Sequence, residues 1–72
     1  MAGLRKRSLQ LAGHATSLAL EPEFWAVIES EARRNGQSLA AFVAAIDAAR
    51  GERPLASALR VHALACGKSV IP

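Results

Sequence analysis

Two short stretches near the start of the chain alternate polar and apolar residues, and this pattern limits the fold more than any other feature. In Lys6-Arg7-Ser8-Leu9-Gln10-Leu11 the leucines fall at 9 and 11, and in Thr16-Ser17-Leu18-Ala19-Leu20 they fall at 18 and 20. A repeat of two sends alternate side chains to opposite faces, as in a strand buried on one side only. Ala12-Gly13-His14 separates the stretches and reads as a turn. The two stretches can pair as an N-terminal β-hairpin. Leu9, Leu11, Leu18 and Leu20 then share one face, and Lys6, Ser8, Gln10, Ala15, Ser17 and Ala19 the other. An isolated strand or hairpin is marginal in water. The simplest partner for it is the same strand of a second copy, related by a two-fold axis. On that reading the leucines are satisfied only when two copies interleave.

The rest of the chain has helical patterning. Glu21-Pro22-Glu23 opens a first helix, with proline where its missing N–H costs nothing and acid at the positive end of the dipole. Phe24, Val27, Ile28 and Ala32 form an apolar stripe with Trp25 beside it, and Asn35-Gly36 stops the helix. Ser38 is an N-cap for a second helix whose buried side is Leu39, Phe42, Val43 and Ile46, ending near Arg50-Gly51. Pro54 opens a third, with Leu55, Ala58, Leu59 and either Val61 or His62 inward, running to about Ala65. Residues 1–5 read as a disordered arm, 6–66 as one domain, and 67–72 as a frayed tail.

A chain of 72 residues holds one domain. Domains this small need a staple or a partner subunit. Cys66 is the only cysteine, and His14 and His62 lack ligand spacing, so disulfide and metal are both unsupported. With 51% apolar residues and no staple, a second subunit is the expected solution. The formal charge is +3, and Arg5, Lys6 and Arg7 are concentrated at the start. That cluster suits a polyanion such as DNA, or simply serves as a solvated tail. Polar residues interrupt Leu9–Leu20, which argues against a secretory signal, and no run is long enough to span a membrane. A single thiol fits a reducing cytoplasm.

The ordered set of motifs resembles the ribbon-helix-helix family. The resemblance rests on Leu18-Ala19-Leu20-Glu21, Pro22-Glu23-Phe24-Trp25 and Asn35-Gly36-Gln37-Ser38-Leu39. A short bacterial subgroup is similar also in Lys6-Arg7-Ser8, Ala12-Gly13-His14, Thr16-Ser17, Ile46-Asp47-Ala48 and Ser57-Ala58-Leu59-Arg60-Val61. The resemblance implies a mainly α fold with a short β ribbon, an intertwined homodimer like the Arc and methionine repressors, here with a third C-terminal helix. It also implies a cytoplasmic transcriptional regulator or repressor that binds double-stranded DNA. In such proteins a two-stranded ribbon enters the major groove and a helix start holds a phosphate. Carried over, Ala15, Ser17 and Ala19 would be the outward readers, with Ser38 and Leu39 at the phosphate. The dimer core would comprise Leu18, Leu20, Phe24, Trp25, Ile28, Phe42, Val43, Ile46 and Leu59.

This sequence departs from the family at Ala15 and Ala19, where relatives often carry arginine or another polar residue. Alanine makes no side-chain hydrogen bond to a base. Two readings therefore compete. Either Lys6, Ser8 and Gln10 read bases from the first stretch, or Arg5, Lys6 and Arg7 form an arm that contacts phosphate. A hairpin from each of two copies would also give a four-stranded sheet, broad for a groove of about 12 Å. The alternative function is a protein-interaction or antitoxin-type dimerisation module with weak or no DNA binding. Asp47 and Arg60 are expected to pair between the second and third helices, and Cys66 to pack as a small apolar residue. No catalytic constellation, cofactor motif or small-molecule pocket is evident, so an enzyme is not expected.

Overall fold

The computed structural model describes residues 3–66. The expected frayed tail, residues 1 and 2 of the expected N-terminal arm and the Cys66 side chain fall outside that description. Strands β1 (Arg5–Leu11) and β2 (His14–Leu20) pair antiparallel within one chain, from Arg5 opposite Leu20 to Leu11 opposite His14. Ala12 (φ 48°) and Gly13 (φ 92°) both take left-handed backbone, as a two-residue type I′ turn requires. Its twist matches that of the flanking strands, so the register holds and all four leucines fall on one face. Arg5 is thus the first strand residue, where the sequence suggested the end of an arm.

Three helices follow: α1 (Pro22–Arg34), α2 (Leu39–Ala49) and α3 (Leu55–Cys66). The Glu21 carbonyl starts α1 by accepting from the N–H groups of Phe24 and Trp25. At its other end Gly36 (φ 67°) lets the Gln37 N–H return to the Ala32 carbonyl and its own N–H to Arg33, which is a Schellman stop. The Ser38 hydroxyl accepts from the Ala41 N–H at 3.1 Å and caps α2 as expected. The Pro54 carbonyl accepts from Ala58 and starts α3.

The helices form a layer over the leucine face of the hairpin, and α2 meets β1 while α3 meets β2. Leu11, Leu18, Leu20, Trp25, Ile28, Ala32, Phe42, Val43, Leu59 and Ala63 make one continuous core. Phe24 and Ile46 are half-buried at its margin. This corrects one expectation. The leucines were read as satisfied only by a second copy, yet Leu20 is 0% and Leu18 6% exposed within a single chain. The reason is α3, which adds Ala58, Leu59 and Ala63 to the apolar cover. On α3 it is His62 that turns inward, edge-on to Phe42 at 5.4 Å between ring centres, while Val61 is exposed.

The expected Asp47–Arg60 pair is also corrected. Asp47 binds Arg50, three residues on along the same helical surface, with Nε–Oδ1 at 2.5 Å. Arg50 in turn donates to the Arg53 carbonyl and ties down the α2–α3 turn. Arg60 reaches instead to Glu21 at the β2–α1 junction, at 2.9 Å, and its guanidinium lies over the Phe24 ring.

Candidate nucleic-acid interface

The hairpin has one covered face and one open face. Cross-strand pairing sets Lys6 opposite Ala19, Ser8 opposite Ser17, and Gln10 opposite Ala15. All six side chains point away from the helices, because they alternate with the leucines. Lys6, Ser8, Gln10, Ala15 and Ser17 are exposed and Ala19 is half-buried. The readers that the family resemblance implies, Ala15, Ser17 and Ala19, and the alternative set Lys6, Ser8 and Gln10 therefore lie on one surface. The Ser8 and Ser17 hydroxyls approach to 3.5 Å, a long contact. Among the described residues, no side chain holds Lys6 or Gln10 in place.

The three leading cations separate. Lys6 is on the open face, and Arg5 and Arg7 share the leucine side. Arg7 lies over the Trp25 ring, 4.9 Å from its centre, and forms an ion pair with Glu29 of α1. The Trp25 indole N–H donates to the Arg5 carbonyl at 2.9 Å, which fixes the open end of the hairpin to α1. Arg7 is thus a bracket between strand and helix, and it does not project from the open face. Sequence reasoning missed this latch. The signal was available, since Arg7 has the parity of Leu9 and Leu11.

At the start of α2, Ser38 is exposed and Leu39 half-buried. The first N–H groups of a helix have no intrahelical acceptor, and the Ser38 hydroxyl takes only that of Ala41. The N–H groups of Leu39 and Ala40 remain to meet an anion or water. His14 sits beside the turn, exposed and opposite Leu11. The Glu21 carboxyl is held below its ordinary range, first by the Arg60 hydrogen bond and then by its own backbone N–H.

Elsewhere an apolar groove of about 560 Å³ runs between α2 and α3, lined by Phe42, Ile46, Ala49, Val61 and Ala65, with Arg50 and Arg53 at its rim. Among the described residues there is no cluster of three potential metal ligands, and no helix is long and apolar enough to cross a membrane.

The chain matches the family model described as a ribbon-helix-helix domain over residues 4–66. No curated protein and no solved structure is matched by the chain. The matched span takes in the hairpin, all three helices and both elements of the candidate interface, so the chain belongs to the ribbon-helix-helix domain family, a regulatory DNA-binding fold.

Proposed function

We propose that this chain is a transcriptional regulator of the cytoplasm that binds double-stranded DNA as a homodimer, with the open face of the β1–β2 hairpin in the major groove and the start of α2 on a phosphate. The observation that carries this reading is the open face itself. Across the paired residues 6–19 it presents lysine, glutamine, two serines and two alanines, with no large apolar side chain among them. A two-stranded ribbon, with strands about 4.8 Å apart, fits a groove of about 12 Å. Ribbon-helix-helix domains generally bind DNA as dimers. Here each copy contributes a ribbon already closed within one chain. A titration of labelled random duplex DNA at low salt tests the reading. Dissociation constants of about 1–100 µM that weaken steeply with salt are expected of its non-specific mode. Flat isotherms would reject it, and a monomer in sedimentation at the same concentrations would reject the dimer.

A second reading is an interaction module of the antitoxin type. Val61 and Leu64 favour it, being 48% and 46% exposed on α3. It predicts a folded protein that leaves DNA untouched in the same titration.

A further inference from the structure

We infer that β1, and not β2, is the strand that reads base sequence, with Gln10 recognising adenine and Lys6 recognising guanine. This rests on the proposed placement of the hairpin in the major groove and adds to it which strand and which bases.

The register divides the labour unequally between the strands. Every long polar side chain of the open face is on β1, and each faces a short one across the ribbon: Lys6 faces Ala19 and Gln10 faces Ala15. The alanines of β2 can touch a thymine methyl but offer no donor or acceptor. Their small size has a second effect, because it leaves space beside Lys6 and Gln10 for those side chains to extend to the groove floor. Ser17, the remaining polar residue of β2, faces Ser8 at 3.5 Å. Arg5 and Arg7 are removed from base reading by parity, and Arg7 also by Glu29 and Trp25.

The chemistry of the two remaining side chains fixes the bases. A glutamine amide carries a donor and an acceptor side by side, which matches N6 and N7 of adenine. A lysine ammonium carries only donors, which match O6 and N7 of guanine. Spacing then fixes their separation. Lys6 and Gln10 are four residues apart on one strand, about 13 Å at a rise of about 3.3 Å per residue. With base pairs about 3.4 Å apart along the axis, and somewhat further apart along the curved groove, that spans roughly three to four base pairs.

The test is enrichment of binding sites from a random duplex pool by the full chain, by K6A, Q10A and S17A, and by Q10E. These side chains are exposed, so the fold should persist, and thermal melts by circular dichroism establish that for each variant. The wild-type chain should enrich an adenine and a guanine three to four base pairs apart. Q10A should lose the adenine preference alone, by roughly five- to hundredfold, the range for one bidentate contact. Q10E should move the preference at that position to cytosine, whose N4 amino group donates to a carboxylate. K6A should lose the guanine, and S17A should change neither position. Preferences unchanged in Q10A, or erased in S17A, would overturn the inference. DNA retained by the wild-type chain without any base preference overturns the inference and leaves the proposed function standing. No retention at all overturns both.

Discussion

Lys6 and Arg7 are neighbours in sequence with the same charge, and the structure predicts opposite consequences for their loss. Lys6 is on the open face, with no acidic partner among the described residues. Arg7 is on the leucine side, with an ion pair to Glu29 and a ring contact to Trp25. Each phosphate neutralised by a cation contributes about −0.9 to the slope of log affinity against log salt. Lys6→Ala removes one cation per copy from the surface proposed to face the duplex, so two copies should flatten that slope by up to about 1.8. From 50 to 200 mM salt, the gap between wild type and variant should then change by roughly tenfold. Arg7→Ala should leave the slope near the wild-type value and appear in stability instead. Its ion pair is partly exposed, 40% for the Arg7 side chain and 32% for Glu29, and such pairs contribute about 0.2–1 kcal/mol. The cation–π contact adds about 0.5–1 kcal/mol. A total near 1 kcal/mol lowers the melting temperature of a domain this size by about 4–8 °C. Fluorescence anisotropy across a salt series and thermal melts by circular dichroism give the two readouts. Equal slope changes in the two variants would refute the division of roles, as would an unchanged melting temperature for Arg7→Ala.

Ala12→Asn should stabilise the fold by about 1 kcal/mol, seen as a higher melting temperature, because Ala12 is a non-glycine residue at positive φ and asparagine tolerates that backbone better. Ser38→Ala should cost about 1 kcal/mol by removing the cap on the Ala41 N–H, read from the urea midpoint. Leu18→Asp should abolish the folded chain itself, with loss of the helical circular dichroism signal, because Leu18 is buried by its own helices; a folded monomer would contradict this. Glu21 has a folded pKa below its ordinary 4.5, so its contribution is present above that value and is lost as pH falls through the lower one. Acid unfolding profiles of the wild-type chain and Glu21→Gln should converge below that window and separate above it.

The elements were legible because their boundaries are written in local chemistry. Pro22, the Asn35-Gly36 stop, Ser38 and Pro54 each act within a few residues, and α1, α2 and α3 begin where these residues predict. The faces of the hairpin were legible for the same reason, since period two needs no tertiary information. What the sequence did not reveal was partnership. Asp47 and Arg60 each found another partner, because an ion pair depends on the rotation and spacing of whole helices. The cover over the leucines was misjudged too. Ala63, a small residue that carries little pattern, is fully buried and lets α3 pack closely enough to close the core. Arg7 was drawn into a basic cluster by adjacency, although strand parity placed it on the far side from Lys6.

A strand borrowed from a neighbour exists only while the neighbour stays. In this chain residues 5–20 fold back on themselves, so the open face of the hairpin is complete in each copy taken alone. If the proposed dimer dissociates on dilution, neither copy loses the hairpin it presents.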